Sequence, residues 1–363
     1  MSHVMRIIVR SFLFILVGSI IFSQGFFGQK FPEQKIKYAP KTYVCYKAST
    51  PIMVDGKLND PAWMNSKWTE SFVDIEGNLK PEPFYDTKVK MLWDDNYFYF
   101  GAEMEEPHVW ATLTARDAVI FKDNDFEIFL DPDGDTHNYY ELEVNALETE
   151  WDLILLKPYH DQSKVAVDSW DIPGLVTKVH VDGTINDPSD MDKGWSVEIA
   201  IPWKALEECA PNFLPEEGEQ WKVNFSRVQW DVDIVENQYV KTDSPEFNWV
   251  WSPQGLIYMH MPDLWGLVQF TEAPPEQGNV EFQISQIDPI KWAMRQVYYR
   301  QRNYFFKKGH YTESLKELNL ITTPAEGIPW PPRIVLTPSG WEAVVMWNDK
   351  HVIIRKDGRI WVE

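Results

Sequence analysis

The sequence predicts a mainly β protein, an antiparallel sandwich of two sheets over residues 46–272, followed by a helical segment and a small β-meander. Three observations predict it. Short segments alternate apolar and polar side chains at period two, turn residues separate them at regular spacing, and the clearest helical period lies beyond Glu272.

The hairpin Val89–Glu103 anchors the pattern. Val89, Met91 and Trp93 share one side of an extended segment, Asp94-Asp95-Asn96 turns the chain, and Phe98, Phe100, Ala102 and Met104 continue the apolar side. Lys90, Tyr97, Tyr99 and Glu103 lie opposite. The run Asp125–Asp131 then points Phe126, Ile128 and Leu130 inward, and Asp125, Glu127 and Phe129 outward. Further strands are expected over 139–146, 151–156, 176–185, 195–201, 221–230 and 264–270. Before the hairpin, Ile52–Asp55 reads as a short strand ending in an Asp-Gly turn, and Pro61 opens a helical turn that carries Trp63. Pro202 ends the strand at Ile201 and starts a short helix through Glu208.

Ala273-Pro274-Pro275-Glu276 is a linker. Residues 280–320 form the helical segment, with a helix over 290–308 and a second, shorter one over 312–318. Residues 328–363 form the meander, with strands over 333–337, 341–347, 351–355 and 359–362.

The chain starts with a targeting pattern. His3, Arg6 and Arg10 precede the apolar run Ser11–Phe22, and the small residues Ser23 and Gly25 follow, so residues 1–24 read as a signal peptide. Export to the periplasm, cell surface or exterior is expected, with no membrane span after cleavage. Residues 25–45 read as a poorly ordered spacer.

Hydrophobic residues make up 44% of 363, enough for a core. A net charge of −21, from 34 basic against 55 acidic residues, repels nucleic acid and anionic membranes and favours neutral or basic partners. Two cysteines, Cys45 and Cys209, are compatible with pairing but not required to pair. The 18 Trp exceed what a core ordinarily uses.

A rigid sheet face with acidic and aromatic side chains suits sugar recognition, because an aromatic ring stacks on the apolar C–H face of a pyranose. Phe121, Trp110, Trp249, Trp251 and Tyr258 fall in loops or strand ends where they can stack. Glu127 is placed to accept hydrogen bonds from sugar hydroxyls. Arg227 shares the inward parity of Val223 and Phe225, so it needs a carboxylate, with Glu127 and Glu198 as candidates. Asp131, Asp133 and Asp135 line a turn that offers oxygens to calcium, but the spacing is not that of an EF-hand, since Thr136 and Leu142 stand where Gly and Glu are needed.

Val54-Asp55-Gly56 with Trp63, Leu92–Tyr99, Phe126–Asp131, Val197–Trp203 and Trp265-Gly266, in that order, resemble carbohydrate-binding module family 9 over about residues 46–272. The resemblance implies a jelly-roll-like sandwich that binds the ends of plant polysaccharides without cleaving them, in some members with structural calcium. It also implies that two Trp side chains hold the sugar. The corresponding places here are Phe121 and the Tyr258-Met259-His260 segment, so the ligand is expected to bind weakly. The expected partner is a neutral poly- or oligosaccharide, alongside other carbohydrate-degrading proteins.

Three other readings compete. The sandwich is also compatible with a protein-interaction role. Met259-His260-Met261 supplies haem-type ligands, although no Cys-x-x-Cys-His is present. Glu127, Glu141, Glu143 and Glu198 offer carboxylates for a glycoside hydrolase, which needs a pair about 5 to 10 Å apart across a cleft. No nucleophile, phosphate-loop or HExxH motif supports catalysis.

Overall fold

Asp94 closes the first hairpin: its Oδ1 accepts the amides of Asn96 at 2.7 Å and Tyr97 at 2.8 Å. The computed structural model describes residues 30–32, 35–161 and 164–363, and the expected signal segment lies outside them. The chain divides into two compact units. One comprises Gln34–Leu155 and Val167–Ser285; the other takes the described residues before Glu33 with Leu156–Ala166 and Gln286–Glu363.

The strands are β1 (Thr42–Lys47), β2 (Val73–Asp74), β3 (Thr87–Trp93), β4 (Tyr97–Glu105), β5 (Asp125–Asp131), β6 (Tyr139–Asn145), β7 (Glu150–Leu155) and β8 (Ala166–Val167). They continue with β9 (Val176–Asp182), β10 (Gly194–Pro202), β11 (Gln220–Gln229), β12 (Val232–Val235), β13 (Gln238–Lys241), β14 (Phe247–Val250) and β15 (Gly266–Thr271). The last four are β16 (Arg333–Thr337), β17 (Gly340–Trp347), β18 (Lys350–Arg355) and β19 (Ile360–Val362).

Thirteen strands form one sheet in the order β8-β7-β6-β5-β11-β15-β1-β3-β4-β10-β9, with β14 and β2 attached beside β11. The sheet curls into a sandwich around one apolar layer. Phe126, Ile128 and Leu130 of β5 pack there with Phe98, Phe100, Trp203, Trp221, Phe225 and Phe270. The inward set of the hairpin and of β5 matches the period-two reading, because alternation is a local property of an extended chain. A smaller layer covers the outer side of β3, β4 and β10, where Trp63 packs with Tyr46, Leu92, Tyr99 and Ala200.

Several features depart from the sequence reading. Thr42–Lys47, read mostly as spacer, is a strand that pairs in parallel with β15 and β3. Ile52–Asp55 is not a strand. Instead Glu198 gathers that turn by accepting the amides of Asp55 and Gly56 and the indole N–H of Trp63, at 2.7–2.8 Å. Strands β12, β13 and β14 were not expected. The thiols of Cys45 and Cys209 are free.

Gly266 is required by packing. A Cβ there would meet the Trp251 ring at 2.3 Å, and that ring is fully buried. Gly266→Ala should therefore destabilise the protein by about 1–3 kcal/mol, read as a lowered urea midpoint; an unchanged midpoint would contradict this packing.

In the other unit the helix Ile287–Lys308 ends at Gly309, whose φ of 77° places it in the left-handed region with its amide on the Phe305 carbonyl at 2.8 Å. The helix packs on β18 and β19 of a four-stranded antiparallel meander, β16-β17-β18-β19. Arg295 is buried and donates to the Gly358 carbonyl at 2.7 Å. The second helix expected over 312–318 is a set of turns, opened by the Thr312 hydroxyl oxygen, which accepts the Ser314 amide at 3.1 Å, a local side-chain bond that competes with helix.

Candidate functional site

The register of β5 and β6 assembles an acidic face. Glu127 stands opposite Glu143, Phe129 opposite Glu141 and Asp125 opposite Asn145. Since Phe126, Ile128, Leu142 and Val144 enter the core, alternation sends these carboxyls to the other side of the sheet.

That side was expected to be exposed, and it is not. Glu127 is 6% exposed and Asp125 0%, with Glu141 and Glu143 similarly buried. The segment Leu256–Trp265 crosses the same face: Phe129 meets Trp265 at 5.5 Å and His260 at 5.8 Å, and Tyr139 meets Trp265 at 5.1 Å between ring centres. Burial pushes Glu127 up to about 7. Asp125, Glu141 and Glu143 are raised well above the carboxylate range by burial first and by mutual repulsion second. A carboxyl that keeps its proton near neutrality both donates and accepts, as a sugar hydroxyl does.

Aromatic rings flank this face at its Asp125 end. Phe121, in the 3-10 turn Ile120–Lys122, is 38% exposed, and its amide donates to Glu143 Oε2 at 2.9 Å. The indole of Trp230 donates to the Phe121 carbonyl at 2.9 Å. The Lys241 ammonium sits 3.8 Å from the Trp230 ring centre and donates to the Lys122 carbonyl at 2.6 Å. Trp151 stands opposite Glu143 on β7, and both Trp151 and Trp230 are half-buried. Sequence reading missed both, because each lies at the end of a strand and its neighbours are set by register. Their outward parity was the available signal.

The structure brings Phe121, Glu127, Tyr258 and His260 to one side of the sheet. Phe121 reaches it at Glu143, His260 reaches it at Phe129 and Tyr139, and Glu127 lies between. Tyr258 is half-buried, 5.8 Å from the His260 ring. His260 Nδ1 lies 3.0 Å from the Tyr139 hydroxyl, and burial pushes its imidazole down to about 3, so it is neutral.

Other expected residues lie elsewhere. Trp251 is buried in the core with its indole N–H directed to Glu70 at 3.3 Å, and Trp110 and Trp249 are buried too, so none presents a free ring face. Arg227 pairs with Glu106 at 3.0 Å rather than with Glu127 or Glu198, because its inward parity carries it to the edge where β4 ends. It also donates to Thr87 Oγ1 and to the Glu105 carbonyl.

Asp131, Asp133 and Asp135 each offer a carboxylate oxygen, all within 4.8 Å of one another. Asp131 Oδ2 and Asp135 Oδ1 also accept the amides of Thr136 and His137, which shapes the turn. A cleft of about 530 Å³ lies on the outer side of β4, β10 and β9, lined by Lys88, Glu103, His180, Asp182 and Lys193. Lys193 is already paired with Asp182, and Trp195, the one tryptophan in the cleft lining, is turned into the core.

The profile of the family described as "Carbohydrate family 9 binding domain-like" matches residues 54–268. Among solved structures, a carbohydrate-binding module of family 9 from Caldicellulosiruptor kristjanssonii in complex with cellotriose is 18% identical, with a TM-score of 0.42, covering 67% of this chain and 100% of that one. The same organism's module in complex with glucose gives 18% and 0.42, covering 66% and 99%. A candidate carbohydrate-binding protein from Bacteroides uniformis gives 17% and 0.46, covering 64% and 100%. No curated protein matches. The profile spans more than half of the chain and every strand of the acidic and aromatic face, and the chain belongs to the carbohydrate family 9 binding domain-like family.

Proposed function

We propose that this protein is an exported, non-catalytic binder of a neutral, plant-derived poly- or oligosaccharide, acting in support of breakdown carried out by other proteins. Family membership supports carbohydrate binding. The observation that carries the location is the exposed Phe121 ring beside Trp230, with its amide on Glu143 of the acidic face. The exposed Phe121 ring and the half-buried Trp230 ring offer the apolar stacking contact a pyranose needs.

The non-catalytic part of the reading rests on the carboxyl geometry. Hydrolases hold two carboxyls about 5 Å or more apart across the scissile bond and keep their environments different. Here Asp125, Glu127 and Glu143 are all buried on one side of the sheet rather than facing each other across an open cleft, and burial moves all three in the same direction.

Calorimetric titration with glucose, xylose and their β-linked oligosaccharides tests the proposal. Weak binding is expected, and Phe121→Ala or Trp230→Ala should weaken it about two- to tenfold, the worth of one stacking ring. Absence of binding at millimolar sugar would favour a protein-interaction role. Turnover of any glycan would refute the non-catalytic reading.

A further inference from the structure

Charge is segregated along this chain. Residues 286–363 carry 12 Lys and Arg against 8 Asp and Glu, whereas residues 1–285 carry 22 against 47. At physiological ionic strength an exposed charge acts over about 8 Å, so a surface on the basic segment meets a partner with its own local charge rather than with that of the whole chain. Within this segment every residue from Phe305 to His310, at the end of the helix Ile287–Lys308, is exposed. Phe305 and Phe306 are 43% and 56% exposed, and Lys307 and Lys308 follow them. The Phe305 ring stacks on Tyr311 at 4.6 Å, Tyr311 meets Trp341 at 6.5 Å, and the exposed Leu336 stands opposite Trp341 in the register of β16 and β17. These contacts make one apolar ridge with a basic flank.

Lysines at a helix C-terminus are explained by the helix dipole, but two successive phenyl rings left in water are not. The nearby acids are engaged elsewhere: Glu313 accepts the Leu336 amide at 3.0 Å and Glu317 accepts the Thr312 hydroxyl. Among the described residues neither Lys307 nor Lys308 is held in an ion pair. A second observation brings a bilayer within reach of the ridge. Phe31 is fixed on the same helix by Asn303, whose Oδ1 accepts the Phe31 amide at 2.7 Å and whose Nδ2 donates to the Phe31 carbonyl at 3.1 Å. Phe306 and Lys307 lie three and four residues beyond Asn303, on the same helix face. The apolar run Ser11–Phe22 ends nine residues before Phe31, about 30 Å of fully extended chain, so this helix end stays close to the bilayer for as long as that run sits in it.

We propose that the helix end Phe305–Lys308 docks on the headgroup layer of an anionic phospholipid bilayer, with the phenyl rings at the acyl boundary and the lysines on lipid phosphates. Apolar insertion and attraction to anionic lipid add together at such an interface. In the exported chain the contact keeps the protein at the bilayer it has crossed. It is reversible, because two rings and two charges fall short of a stable anchor. The contact does not rest on the glycan reading.

The test uses the exported form, residues 25–363, which keeps every described residue and removes the apolar run as a source of membrane binding. It is floated with vesicles of phosphatidylcholine alone or mixed with phosphatidylglycerol. Partition onto the mixed vesicles is expected to be at least about tenfold stronger than onto phosphatidylcholine, and to be lost at raised salt. Lys307→Gln with Lys308→Gln should weaken it about tenfold or more, and Phe306→Ser about fivefold, whereas Phe306→Trp should retain it. Met191→Ser, at an exposed methionine of the other unit, should leave it unchanged. Phe306, Lys307 and Lys308 are exposed, and an unchanged urea midpoint confirms that each variant is folded. Three results would overturn the proposal: no partition of the wild type onto the mixed vesicles, equal partition of the lysine and Phe306→Ser variants, or concentration-dependent self-association abolished by Phe306→Ser without vesicle binding, which would assign the ridge to a second copy of this chain. Sugar titrations are run without vesicles, so a protein that binds vesicles and no glycan upholds this surface while removing the functional proposal.

Discussion

Arg227→Met should destabilise the protein by about 3–5 kcal/mol, the usual consequence of leaving one charge of a buried pair without its partner. Arg227 and Glu106 are both almost fully buried and 3.0 Å apart. Burial raises the Glu106 carboxyl and lowers the Arg227 guanidinium, and in each case the partner's charge opposes the shift. Glu106 also accepts from Asn124 Nδ2 at 3.0 Å, and Asn124 Oδ1 accepts the Trp230 amide at 2.7 Å. Loss of the arginine thus loosens the strand end that carries the Trp230 ring, so any glycan affinity should fall with stability. Urea unfolding checks the first effect, and the double variant Arg227→Met, Glu106→Leu should recover much of the loss because no unpaired charge remains. A single-variant change below about 1 kcal/mol would show that the pair is not buried as described.

Stability of the chelator-treated protein should fall as pH rises from about 5 to 8. Glu127 is raised from 4.5 to about 7 in the folded state. Between those values the folded chain keeps a proton that the unfolded chain has lost, so the unfolding free energy decreases with increasing pH. The penalty from this group is absent below about pH 4.5 and complete above about pH 7, where it amounts to about 3 kcal/mol. Asp125, Glu141 and Glu143 act in the same direction. Asp86 and Glu276 have lowered values whose opposite contribution falls below this window, and His260, lowered from 6.5 to about 3, opposes the fall only up to about pH 6.5. Thermal melts across the range provide the measurement, and Glu143→Gln should flatten the curve and raise stability at pH 8. A melting temperature that is flat or rises from pH 5 to 8 would contradict the burial of these carboxyls.

Much of the scaffold was legible because it rests on local rules. Period-two alternation placed Val89, Met91, Trp93 and Phe126, Ile128, Leu130 in the core, and the Asp94 turn joined β3 to β4 as read. The order of the quoted motifs also led to the family that the profile match identifies. Alternation likewise assigned Glu127 to the face away from the core. What covers that face was not legible, since the Leu256–Trp265 segment is distant in sequence.

Only the tertiary structure decided which side chains meet. Inward parity established that Arg227 needs an acid, but Glu106 was selected by where β4 ends beside β11. Trp230 and Trp151 joined Phe121 through strand register and one indole hydrogen bond, neither of which leaves a mark within a short window of sequence. The parallel pairing of β1 likewise arises between segments more than two hundred residues apart. Side-chain direction follows from the geometry of a few consecutive peptides, and so the sequence carries it. Partnership and burial depend on which distant strands pair and in what register, and these are settled only when the whole sheet closes.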